Sequence, residues 1–328
     1  INRQSFGDHA FMEAEDQFNR VLGAEFNLAS KNNVWSGKTF IHKSFQPGDN
    51  QGNLASQAVL VYNTRFWNLV SDWVYVDQDF RSDLGFVPRT GIFKSNQSIG
   101  RTFYPKKGVI NKHTPRILNL MFWRPQLDFL LSDHELRLSY DLEFRDRSTW
   151  RTRFRNRFIY LVDGFDPTRT DGGVPLPGET GYRFNQIETE YESNRANPVI
   201  FQGEFSGGQF FNGRNLTARG ELTFRLQPFA QIGVNVRYDR IDLPSPHPSA
   251  QFWLATTRFD VTFSKSIFWS TLIQYSNQRD NLGINSRLQW RFAPLSDLFL
   301  VYNDNYFVDF FTPRFRSINL KVSYWISL

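Results

Sequence analysis

The chain has no cysteine among its 328 residues. That absence excludes disulfides, thiolate catalysis and cysteine-based zinc or iron–sulfur sites. It is compatible with an oxidising compartment and does not argue for one. Long apolar runs are missing too. The longest lies near residues 117–123, well short of the ~18 residues that a membrane-crossing helix needs. Phosphate-loop, dinucleotide and zinc-finger patterns do not occur. The opening residues, INRQSFGDHAF, lack the charged segment and apolar core of a signal peptide. Helical spacing is absent except over residues 10–22, where the pattern is too polar to form a packed helix. The net charge is +6 and the pI about 9.5, values that raise nucleic-acid binding as a class. The basic residues are spread along the chain rather than gathered in a tail or helix, so no nucleic-acid partner is expected.

Aromatics are abundant. They make up 17% of the chain, with 34 Phe, 12 Tyr and 9 Trp, yet the mean hydropathy is −0.46. Alternation reconciles the two. In the last thirteen residues, RSINLKVSYWISL, Ile318, Leu320, Val322, Tyr324, Ile326 and Leu328 alternate with mostly polar residues. This is a strand with one apolar and one polar face, long enough to cross a bilayer at about 9–11 residues. It is expected to run to the C-terminus, although Leu328 replaces the terminal aromatic usual in barrels. Over 135–145, Leu136, Leu138, Tyr140, Leu142 and Phe144 alternate with Glu135, Arg137, Ser139, Asp141, Glu143 and Arg145. Segments 152–162, 216–226, 232–238, 255–263 and 282–292 repeat the device.

Seventeen strands are expected: 18–30, 33–46, 54–67, 69–80, 92–104, 115–124, 134–145, 151–163, 181–192, 198–211, 214–226, 230–241, 252–264, 268–277, 282–292, 297–304 and 316–328. The strand at 69–79 is ambiguous, with apolar residues on both faces. Longer connections are expected near 47–53, 81–91, 164–180, 242–251 and 305–315, as exposed loops. Gly207–Gly208 reads as a bulge or kink. Aromatics gather beside the short turns, including Trp35, Trp67, Phe103, Trp150, Phe229, Trp269, Phe292 and Tyr324, as in an interfacial girdle. The expected fold is therefore all-β: a single large transmembrane antiparallel up-and-down β-barrel domain over 1–328. Bacterial barrels have even strand numbers. Seventeen visible strands thus imply about 18 or more, with residues 1–17 an external loop and the chain the C-terminal part of a longer protein.

LGFVPRTGIFKSNQSIGRTFYP (84–105), TGYRFNQIETEYESN (180–194), RYDRIDLP (237–244) and INSRLQWRFAPLSDLFLVYND (284–304) resemble one family. It is a large outer-membrane barrel family of unknown function, common in Bacteroidota. Its members typically carry a family-9-like carbohydrate-binding domain before the barrel. The resemblance covers most of residues 80–328 and implies a bacterial outer-membrane location. It implies no activity.

One candidate site stands out. Arg151, Arg153, Arg155 and Arg157 occupy one face of one strand. Two readings stay open: pairing with Glu135, Asp141 and Glu143 of the preceding strand, or attraction of anions such as phosphates, uronates or lipopolysaccharide groups. Other charges assigned to the same face (Arg219, Glu221, Arg225, Arg237, Asp239, Arg258, Asp260, Arg287, Arg291) are mixed in sign and predict no strong single-sign selectivity. None of His9, His42, His113, His134 and His247 sits with a serine and an aspartate in a way that suggests a nucleophile and its base, so no enzyme and no catalytic residue are expected. Asp163–Asp166–Asp171 and Asn303–Asp304–Asn305 with Asp309 do not match a calcium loop; no metal or cofactor is assigned. The expected function is a channel or transport barrel with a polar lumen for small solutes or glycans. The alternative is a non-conducting scaffold in an outer-membrane secretion, assembly or attachment complex. Expected partners are outer-membrane lipid and lipopolysaccharide, glycans and other complex subunits.

Overall fold

A computed structural model describes residues 17–48, 50–308 and 311–326. The expectations for residues 1–16, His9, Asp309 and Leu328 lie outside these. Seventeen strands form one sheet. They are β1 (Arg20–Ala29), β2 (Trp35–Phe45), β3 (Leu54–Asn63), β4 (Trp67–Val76), β5 (Ile92–Arg101) and β6 (Ile110–Arg124). Then come β7 (Leu130–Phe144), β8 (Thr149–Leu161), β9 (Thr180–Glu192), β10 (Val199–Phe210), β11 (Gly213–Leu226) and β12 (Ala230–Asp242). The last are β13 (Ala250–Thr262), β14 (Ile267–Ser276), β15 (Asn281–Ala293), β16 (Ser296–Phe307) and β17 (Thr312–Ser323). Each pairs antiparallel with the next in sequence, from β1–β2 to β16–β17. Among the described residues, β1 and β17 do not pair with each other.

The strand number agrees with the sequence reading; several bounds do not. β6 begins at Ile110, because Pro115 is accommodated in a strand entered through a register shift between Ile110 and Lys112. The last strand begins at Thr312 and ends at Ser323, leaving Tyr324, Trp325 and Ile326 beyond the ladder. The connection expected over 305–315 shrinks accordingly, because β16 continues to Phe307. Gly207–Gly208 forms no bulge: β10 keeps unbroken register with both neighbours. Gly208 has φ +149, and a Cβ there would lie 2.4 Å from the Asn185 carbonyl oxygen. Glycine permits this close approach of β9.

Register divides the side chains into two faces. One is apolar and continuous across strands. Cross-strand partners link Trp35, Tyr62, Leu69, Ile99, Ile117, Leu138, Phe154 and Ile187 in one row. Leu226, Ala230, Val261, Trp269, Leu288, Leu300 and Leu320 form another. Leu138, Phe154, Ile187, Leu300 and Leu320 are all exposed. Aromatic contacts mark both ends of this face. Trp35–Tyr62 and Phe292–Tyr324 lie at the end of the shorter connections. Trp73–Phe93–Trp123 and Tyr238–Trp253 lie at the other. The opposite face carries most of the charges.

Among the described residues, no second layer covers the sheet. The chain exposes 21161 Å², against about 14,000 Å² for an ordinary folded monomer of this mass. Its two buried apolar clusters lie on the charged face, at the end bearing the longest connections. In one, Leu176 of the 162–179 connection packs with Tyr182, Phe184, Phe211 and Leu243, and Ile159, Leu161, Phe210 and Ile241 surround them. In the other, Phe80 and Val87 of the 77–91 connection pack with Ala55, Val74, Val76, Ile92 and Phe122. These two connections are thus not merely exposed loops. Each folds back onto the charged face and buries an apolar anchor there. This explains the two-sided apolar pattern of β4, whose Val74 and Val76 belong to the second cluster. At the same end the apolar face turns polar: Asn156 donates to Asn185 at 2.8 Å, and Arg183 to Asn156 at 3.1 Å.

Candidate functional site

The arginine stripe lies on the charged face of β8, flanked by acidic strands on both sides. Its four members stand at alternate positions, so their side chains share one face. Register places Arg151 between Asp141 and Glu190, and Arg153 between Ser139 and Glu188. Arg151 contacts Asp141 at 2.8 Å and Glu190 at 3.2 Å. Arg153 pairs with Glu188. Arg155 reaches Glu188 at 2.7 Å and Glu135 at 3.8 Å. Arg157 reaches Glu135 at 3.0 Å, and Arg137 donates to the same carboxylate at 2.6 Å. Glu188 is 8% exposed, so it is bound mainly by the arginines rather than by water.

Pairing therefore accounts for every member of the stripe. Two expected partners, Glu135 and Asp141, are in place. Glu143 instead takes Lys112 at 2.7 Å and Asn111 at 2.7 Å. Glu188 and Glu190, the partners from β9, escaped the sequence reading. The signal was present: Glu188, Glu190 and Glu192 alternate within IETEYE, and in a meander the next strand is a neighbour.

Elsewhere the same face neutralises itself along single strands. Arg219–Glu221, Arg237–Asp239 and Arg258–Asp260 pair at 3.2, 2.6 and 2.7 Å. Between strands, Lys94 meets Asp72 at 2.8 Å. Arg291 meets Asp297 at 3.3 Å, whereas Arg225 and Arg287 of the same face enter none of the described ion pairs, so the surface is densely charged and largely, not wholly, balanced.

Two of the acidic candidates, Asp166 and Asp304, are held by protein donors. Asp166 accepts from Thr168 N and Oγ1 at 2.8 and 2.6 Å and from Thr170 N at 2.9 Å. Burial works to raise its pKa; these bonds outweigh it and hold the carboxyl below the ordinary aspartate value. Asp304 lies on the apolar face, whereas Asn303 and Asn305 lie on the other. Adjacent strand residues point to opposite faces and cannot close on one ion. Asp304 instead accepts from Tyr302 at 2.5 Å, Tyr306 at 2.6 Å and Arg316 at 3.0 Å. Among the described residues, no three His, Asp or Glu side chains form a metal-binding group.

The histidines have structural contacts. His134 bonds Asn119 at 2.8 Å, His113 bonds Tyr140 at 2.8 Å, and His247 donates to the Val174 carbonyl at 3.2 Å. None of these is a nucleophile–base pair. No protein-family model matches the chain, and no curated protein matches it either.

Proposed function

We propose that the chain is an outer-membrane β-barrel that conducts small polar solutes past a charged, internally paired lumen. The observation that carries this reading is the exposed apolar face, bounded at both ends by aromatics and backed by the ion-pair lattice. In water, an apolar face of this extent would drive aggregation. In lipid it is the expected exterior of a barrel, with polar groups inside. No catalysis is assigned.

Closure is part of the proposal. β1 and β17 run in the same direction, so antiparallel closure takes an odd number of further strands. A sheet of this size, once closed, is too wide for side chains to fill. The suggested partners are outer-membrane lipid and lipopolysaccharide. Membership of the Bacteroidota barrel family belongs to the same proposal and rests on the motifs alone.

A second reading, a non-conducting scaffold, draws on one observation. Both long connections pack onto the charged face, as they would in an obstructed lumen. Single-channel conductance of the purified full-length protein in planar bilayers separates the two. Steady conductance with weak ion preference supports the channel, since the arginines are neutralised by neighbours. Silence from correctly folded protein overturns it in favour of the scaffold.

A further inference from the structure

The charged face is not uniformly saturated. The arginine lattice leaves no cation without a carboxylate, so it has little left to offer a ligand. The hydrogen-bonding capacity that remains lies several strands away. On β12–β15, at the end of the long connections, a pocket of about 460 Å³ opens on the charged face. This falls within the range of small-ligand sites, ~300–1,000 Å³.

Its polar lining contrasts with the lattice. Arg237 and Asp239 form a bidentate pair at 2.6 and 2.9 Å, so they add little net charge. Gln274, Ser276 and Asn281 reach the pocket from β14 and β15, and Gln278 and Arg279 from the connection between them. Gln274, Gln278 and Arg279 are exposed. Arg279 lends its backbone carbonyl to Arg314, while its guanidinium takes part in none of the described ion pairs. Phe252 supplies an apolar wall.

The combination has a specific chemistry. Amide side chains present adjacent donors and acceptors, as vicinal hydroxyls require. An aromatic ring offers a surface for the C–H face of a sugar ring. An uncompensated guanidinium matches a carboxylate with two parallel hydrogen bonds.

We propose that this pocket binds an acidic saccharide, with Arg279 holding the carboxylate and Gln274, Gln278 and Asn281 the ring hydroxyls. The assignment rests on the charged face being open to water, as in the proposed barrel, but not on conduction.

The test is ligand-observed NMR of the detergent-solubilised protein with D-galacturonate, and separately with D-galactose as the uncharged counterpart. Saturable galacturonate binding is expected, tighter than that of galactose. Arg279→Gln should weaken it at least about tenfold, the scale of one lost charge-assisted hydrogen bond, and leave galactose unchanged. Folding is checked by the mobility of the unheated protein on a denaturing gel. If Arg279→Gln does not fold, Gln278→Ala, on the same turn, should weaken both sugars. Absence of galacturonate binding to the native protein overturns the proposal, and so does equal affinity in a folded variant. Binding without conductance would retain this site while removing the channel reading; conductance without binding would do the reverse.

Discussion

At the level of single residues, Glu188 is the most consequential group in the lattice. It holds Arg153 and Arg155 together from β9 and is almost fully buried. Replacing it leaves two guanidinium groups competing for the more distant Glu135 and Glu190. Removing one partner of a buried pair is far more damaging than the pair is stabilising. Glu188→Gln should therefore lower folding stability by on the order of 3 kcal/mol, read as a shift in the urea midpoint of the detergent-folded protein. Glu143→Gln breaks a solvent-accessible pair with Lys112 and should cost less than about 1 kcal/mol. Equal costs would mean that the arginines are held by solvent rather than by β9. The stripe was legible from residue spacing alone. Its neutralisation was only half legible, because β7 was weighed as a partner and β9 was not.

Among the elements, period-two alternation located nearly every strand, since one face is apolar and the other polar along most of its length. It failed where the environments exchange. Near the long connections the charged face becomes apolar beneath Leu176 and Phe80, and β4 consequently reads as apolar on both sides. Nothing local in DGGVPLPG announces that Leu176 will be fully buried; that depends on contacts with Phe184, Phe211 and Leu243. The turn at Asp166 helps hold this connection in place. Its carboxyl is depressed in the folded state, so its stabilising bonds are present at neutral pH. They are lost as pH falls below the ordinary aspartate value, about 4, through the lower folded one. Amide exchange in 162–179 should accelerate in that range before the sheet itself opens. Asp166→Asn should give the same acceleration at pH 7. Unchanged exchange in both cases would show that Leu176 alone anchors the segment.

For the whole molecule, the decisive question is which solvent meets the apolar face. Leu300 sits in the row joining Leu288 to Leu320 and is exposed. If that face meets lipid, Leu300→Arg should cost roughly 2–4 kcal/mol near the bilayer midplane, measured by folding into vesicles. If it meets water, the same change should be neutral or improve solubility. Both edges of the sheet and the purpose of its interior lie beyond alternation, which reports only the polarity of each face.

The pairing scheme has one more consequence. Among the described residues, every strand pairs only with the strand before or after it in the chain. A hairpin can therefore be duplicated or lost without re-routing any other segment. Such a sheet can change its width two strands at a time, leaving a local patch such as the β7–β9 lattice intact; closed as proposed, it would resize its lumen by the same step.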